Sequence, residues 1–126
     1  MNKFEIASTQ RTPHVVFDSE QGFFLIEGES YPEDVRAIFD EPVRIVQNHL
    51  VSEFANDFVF TFKLKYFNSS TARVLMDLFI AIEESSQRGR KIRVEWHHEA
   101  DDDNMQELGE EFCEELHATK YSILSD

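Results

Sequence analysis

The clearest pattern in the chain is a near-regular alternation of apolar and polar residues over positions 58–66. A period of two is typical of a β-strand with one buried face. Beyond Thr71 the apolar positions recur at helical spacing, beginning with Val74, Leu75 and Leu78. This change of period predicts a central strand that leads directly into a helix over residues 70–87.

Shorter patterns predict strands on both sides of this unit. Residues 14–18 and 23–28 predict an N-terminal hairpin, joined by a turn that contains Gly22. Residues 91–99 alternate again and predict another strand. Residues 121–124 predict a short edge strand at the end of the chain.

The remaining segments predict a frayed start and further helices. Residues 1–12 are largely polar, so we expect a frayed lead-in to the hairpin. A helix is expected to begin over residues 30–33, with Ser30 as its capping residue. Pro42 should kink that helix or begin a second one, because an interior proline removes a backbone hydrogen bond. Residues 105–116 predict a final amphipathic helix.

This order of elements, with helices between successive strands, predicts an α/β fold built on a mixed β-sheet. We expect the N-terminal hairpin to form one edge of the sheet and crossover helices to connect its parallel strands. Residues 1–126 are expected to form one domain. In open α/β sheets functional groups gather where strand C-termini meet helix N-termini, and Ser69 lies at such a place.

Charge and composition narrow the class of function. Twelve Lys and Arg residues against 25 Asp and Glu give a formal net charge of −13, which disfavours binding to nucleic acid or to anionic membranes. The sequence has no signal-peptide pattern and no apolar run of about twenty residues. The single cysteine, Cys113, excludes an intramolecular disulfide. We therefore expect a soluble, cytoplasmic protein.

Candidate catalytic groups are sparse. His97 and His98 are adjacent on a predicted strand and should point to opposite faces, which argues against a shared metal ion. Cys113 is expected to be a small buried hydrophobe rather than a nucleophile. The four glycines form no phosphate-binding loop. No cofactor is predicted, and a small metal-dependent enzyme stays only as an alternative.

Three consecutive hydroxyl residues, Ser69, Ser70 and Thr71, occupy the strand-to-helix turn. One interpretation is that they cap the helix, because Ser and Thr side chains accept hydrogen bonds from first-turn amides. The other is that one of them is phosphorylated, since a helix N-terminus favours added negative charge. The residues of this turn alone leave both interpretations open.

Motifs along essentially the whole chain resemble the SiaC family of bacterial regulatory phosphoproteins. The two most specific motifs are Ser-Tyr-Pro-Glu at residues 30–33 and Tyr-Phe-Asn-Ser-Ser at residues 66–70. The other matching pieces are Thr12-Pro13, Gly28-Glu29, Trp96-His97 and Glu110-Glu111-Phe112. The resemblance implies a STAS-like fold, of the type found in anti-anti-sigma factors.

The resemblance also implies a function without catalysis. A partner Ser/Thr kinase would phosphorylate the protein, and a metal-dependent PP2C-type phosphatase would remove the phosphate. The unphosphorylated form would bind and activate a diguanylate cyclase, which raises cyclic di-GMP and promotes biofilm formation. An anti-anti-sigma-like protein, which would bind an anti-sigma kinase instead, is the alternative.

The motif Tyr-Phe-Asn-Ser-Ser assigns the residues of the site. Ser69, the first hydroxyl after the asparagine, is the implied phosphoacceptor, and Ser70 is the alternative. The resemblance places partner binding on these two serines and the residues around them; the full set is Tyr66, Asn68, Ser69, Ser70, Thr71 and Arg73.

Overall fold

A six-stranded mixed sheet, with its strands in sequential order from β1 to β6, is the base of the fold. The structure is a computed structural model that describes residues 2–126. The first three strands pair antiparallel and the last four, from β3 onward, pair parallel. The elements are β1 (Lys3–Ile6), β2 (His14–Asp18), β3 (Phe23–Ser30), α1 (Val35–Val51), β4 (Phe58–Phe67), α2 (Ser69–Gln87), β5 (Ile92–His98), α3 (Asp103–Cys113) and β6 (Lys120–Ser125).

The three helices each connect neighbouring parallel strands. Each crossover is right-handed and moves one strand further along the sheet in the same direction, so all three helices lie on one face. On β4, Phe58, Phe60 and Phe62 are fully buried on that face. Lys63 and Lys65 of the same strand are exposed on the other. The alternation predicted for the central strand is confirmed, as are the hairpin of β2 and β3, the parallel crossovers and the C-terminal edge strand.

An aromatic cluster fixes α3 against the end of the sheet from which α2 begins. Trp96 is 1% exposed, and its Nε1–H donates to the carbonyl oxygen of Met105 at 3.0 Å. A Cβ atom at Gly109 would come within 2.4 Å of the Trp96 ring, so this helix position needs a glycine. The ring of Phe112 lies 6.0 Å from that of Phe67, the last residue of β4. The turn after β4 is therefore supported by a packed core.

Residues Lys3–Ile6 form a strand, so the frayed lead-in predicted for residues 1–12 is wrong over that stretch; residues 7–12 form no regular element, and residue 1 lies outside the described residues. β1 pairs with β2 and forms the sheet edge, which places the hairpin one strand further in than predicted. The Phe4 ring lies 5.5 Å from the Phe17 ring, and His14 Nε2 lies 2.7 Å from Glu5 Oε2. Four residues are too short a pattern to reveal a strand whose stability comes from a distant partner.

The first helix also differs from the prediction. Ser30 ends β3 instead of capping α1, and Asp34 is the cap, accepting a hydrogen bond from the Ala37 amide at 3.3 Å. The helix continues through Pro42 to Val51, so the second helix is not formed. Pro42 lines a small apolar cavity between α1 and the sheet. Packing in this core offsets the missing backbone hydrogen bond.

Across residues 2–126, none of the helices has both the length and the apolar character needed to span a membrane.

Candidate functional site

The turn between β4 and α2 places its three hydroxyls in three different environments. Ser69 is exposed, Ser70 is half-buried and Thr71 is 0% exposed. The Ser70 hydroxyl donates to Asn68 Oδ1 at 3.0 Å. Thr71 Oγ1 lies 2.8 Å from Ser30 Oγ, in a buried hydroxyl pair that ties α2 to the end of β3. Ser69 is thus the hydroxyl most accessible to another protein.

The helix cap belongs to Asn68, so the interpretation that the three hydroxyls cap α2 is wrong. The Asn68 side-chain oxygen accepts a hydrogen bond from the Thr71 amide at 3.0 Å. Because Asn68 already has extended backbone geometry and Ser69 is the first helical residue, the serine side chain is not needed as a cap. The predicted helix start at residue 70 lies one residue too late.

The two ends of this hydroxyl run should differ sharply in their effect on stability. Thr71→Val is expected to lower the free energy of unfolding by about 1–2 kcal/mol, because it leaves the buried Ser30 hydroxyl without its partner. Ser69→Ala should change it by less than about 0.5 kcal/mol, since the side chain is exposed. Urea unfolding of both variants measures the difference. Equal losses of unfolding free energy in the two variants would contradict a stabilising role of the buried Thr71 hydroxyl.

A groove of about 480 Å³ between α1 and the start of α2 opens beside Ser69. Two basic side chains line it, Arg36 from α1 and Arg73 from α2, together with Asp40 and Asp77. Arg73 was predicted from the sequence as part of the site. Arg36 was not, because it lies 33 positions before Ser69 and only the packing of α1 against α2 brings it here.

An aromatic pair lies on the strand side of the same turn. Tyr66 is 51% exposed, and its ring lies 6.1 Å from that of Tyr31 in an edge-to-face arrangement. Of the predicted partner-binding residues, Tyr66, Asn68, Ser69, Ser70 and Arg73 are at least partly accessible, whereas Thr71 is buried. Of these, Ser69, Ser70 and Arg73 share the groove, and Tyr66 lies on the strand side of the turn.

The other candidate chemistry lies elsewhere. His97 and His98 occupy opposite faces of β5, as predicted: His97 contacts Asp126 at 2.8 Å, and His98 is buried. In the described part of the chain, no three His, Cys, Asp or Glu side chains are grouped closely enough to hold a metal ion. Cys113 is buried, and burial raises the pKa of its thiol to about 12. Such a thiol is a poor nucleophile at neutral pH.

These features define a small mixed α/β domain that presents a hydroxyl-bearing turn on its surface. The chain belongs to the SiaC family of regulatory phosphoproteins, whose family model matches residues 6–125. The family predicted from the motifs is therefore confirmed.

Relatives from Pseudomonas aeruginosa agree with this assignment. An uncharacterized protein of strain UCBPP-PA14 is 30% identical over 115 residues, which cover 91% of this chain and 90% of that protein. The crystal structure of apo-SiaC is 30% identical, with a TM-score of 0.88 over 99% of this chain and 100% of that one. SiaC in the crystal structure of the diguanylate cyclase SiaD with its activator SiaC is 28% identical, with a TM-score of 0.90 over 98% and 99%.

Proposed function

We propose that this chain is a non-enzymatic, cytoplasmic signalling phosphoprotein. A partner Ser/Thr kinase phosphorylates Ser69, and a PP2C-type phosphatase reverses the modification. The unphosphorylated form binds and activates a diguanylate cyclase, which raises cyclic di-GMP and favours biofilm formation. One observation carries the proposal: Ser69 is the exposed hydroxyl of the turn, in a family with a solved member that is the activator of a cyclase.

The surroundings of the three hydroxyls support Ser69 as the acceptor. A kinase must hold the hydroxyl against the γ-phosphate of ATP, so the acceptor needs to be accessible. Phosphorylation of Ser70 would break its hydrogen bond to Asn68, and phosphorylation of Thr71 would require α2 to open. Ser69 needs neither change, and added negative charge at the start of a helix is compatible with the helix dipole.

Tyr66 is the proposed aromatic anchor for the cyclase, because exposed tyrosines dominate many interfaces. Tyr66→Ala should weaken binding of the cyclase by about tenfold or more. Tyr121→Ala is the matched control, since Tyr121 is 47% exposed on the edge strand β6, away from this turn. Isothermal titration of the cyclase with each variant tests the assignment. Equal affinities for the two variants would remove Tyr66 from the interface.

Mass spectrometry of the protein purified from its own host tests the modification directly. We expect phosphate on Ser69 and none on Ser69→Ala. A Ser69→Ala variant that still carries a full equivalent of phosphate at Ser70 would move the acceptor to that residue.

Affinity purification in the same host tests the partner: recovery of a diguanylate cyclase supports the proposal. Recovery of an anti-sigma kinase in its place would favour the alternative, an anti-anti-sigma function. That alternative rests on the STAS-like fold that the family resemblance implies.

A further inference from the structure

Two arginines lie in the same groove as Ser69. Ser69 and Arg73 are four residues apart on α2, so their side chains are neighbours on one face of the helix. Arg36 lines the groove from α1. Asp40 on α1 and Asp77 on α2 are the acidic side chains of the groove. Two cations and two anions cancel, so these side chains together carry no net formal charge.

Both arginines are available to a new anion. Arg73 is exposed and, within residues 2–126, has neither a salt bridge nor a side-chain hydrogen bond. The Nε atom of Arg36 lies 3.3 Å from Asp40 Oδ2, with the two side chains 83% and 64% exposed. An ion pair this exposed contributes little to stability and is easily exchanged. A phosphate accepts paired hydrogen bonds from a guanidinium group, which makes it the stronger partner.

We infer that Arg36 and Arg73 form an intramolecular receptor for a phosphate on Ser69, so that the phosphate of the protein itself occupies the groove between α1 and α2. This inference rests on the phosphorylation of Ser69 in the proposed function and adds how the phosphate is held. In the unmodified protein the two guanidinium groups face solvent and can contact a partner. In the phosphorylated protein they bind the phosphate, and the surface loses two cationic donors at once.

The aspartates make both arginines necessary. A phosphate brings about 1.5 to 2 negative charges into the groove at neutral pH. Without Arg73 it would face the carboxylates of Asp40 and Asp77 with only Arg36 as a counter-charge. Repulsion would then favour the singly protonated phosphate, so the second pKa of the phosphate reports directly on the receptor.

The experiment uses the full chain with phosphoserine incorporated at position 69 during translation, which needs no kinase. A ³¹P NMR titration gives the second pKa of the phosphate. We expect this pKa to be raised by about 0.5 units or more in both Arg36→Gln and Arg73→Gln, relative to the otherwise unchanged protein. Arg44→Gln is the control, because Arg44 lies on α1, is 62% exposed and pairs only weakly with Glu41 at 3.9 Å. Its phosphate pKa should stay unchanged.

The outcomes separate this inference from the proposed function. One phosphate pKa shared by the unchanged protein and all three variants would overturn the receptor, whatever the host does to Ser69. A shift confined to Arg36→Gln and Arg73→Gln would establish it. Absence of phosphate from Ser69 in the host would instead overturn the proposed function, and with it the biological use of the receptor.

Discussion

Glu83→Ala is expected to lower the free energy of unfolding by about 3 kcal/mol, the largest stability loss among the variants considered. Glu83 lies four residues before the C-terminal end of α2 and is 6% exposed. Its carboxylate accepts hydrogen bonds from the amides of His117 at 3.0 Å, Ala118 at 2.9 Å and Thr119 at 3.1 Å. Those amides belong to the segment between α3 and β6. Removing the carboxylate leaves the buried Thr119 amide and the part-buried amides of His117 and Ala118 without their acceptor, and it releases this segment from α2.

The same carboxylate makes stability depend on pH. Burial alone would raise the pKa of Glu83, but the hydrogen bonds from Ala118, Gln87, His117 and Thr119 outweigh it and lower the pKa from 4.5 to about 2. A carboxyl group whose pKa is lowered by folding stabilises the protein at pH values above its pKa in the unfolded chain. That stabilisation is lost as the pH falls through the pKa of the group in the folded protein. The shift is equivalent to about 3 kcal/mol, of which more than half is lost by about pH 3.

Denaturant unfolding at pH 7 and pH 3 measures both effects. Glu83→Gln should be much less stable than the unchanged protein at pH 7, and the difference should narrow at pH 3. Glu84→Gln is the matched control, because Glu84 is the next residue of α2 and is exposed. If the two glutamine variants unfold at the same denaturant concentration at pH 7, Glu83 does not hold the α3–β6 segment.

Local patterns in the sequence predicted the elements whose stability depends on one buried face. The alternation in β4 and β5 and the spacing of apolar residues in α2 and α3 fixed their type, since a strand or helix with one apolar face has few alternatives. The prediction failed where a distant partner decides. Residues 3–6 form a strand only because β2 lies beside them. Ser30 ends a strand because β4 extends far enough to pair with it.

The candidate site shows the same division. Asn68 and Ser69 lie within the motif at residues 66–70 and Arg73 follows it by three residues, so a motif resemblance can identify them together. Arg36 and Glu83 carry no such signal. Arg36 becomes distinctive only when the packing of α1 brings it to the groove, and Glu83 differs from the other glutamates only because it is buried. Their roles depend on contacts between residues more than thirty positions apart, which no local pattern encodes.

Ser69→Asp is expected to weaken binding of the diguanylate cyclase by about thirtyfold or more, while Ser69→Ala binds like the unchanged protein. Under the proposed function the cyclase contacts the turn around Ser69, and loss of complementarity at a central interface position commonly costs about 2 kcal/mol or more. Binding titrations and cyclase activity with each variant measure the effect. Phosphoserine should weaken binding further, because it is larger and carries about 1.5 to 2 charges where aspartate carries one.

Two controls separate this interface effect from its alternatives. Ser69→Asn has nearly the shape of aspartate without its charge, so stronger binding by Ser69→Asn than by Ser69→Asp would assign the loss to charge. Gln21→Glu adds the same charge to the exposed turn between β2 and β3, at the opposite end of the sheet from Ser69, and should leave binding intact. The melting temperature of Ser69→Asp should stay near that of the unchanged protein, because an acid at the start of α2 suits the helix dipole. A Ser69→Asp variant that melts much earlier would show that lost folding, and not a changed interface, lowers its affinity.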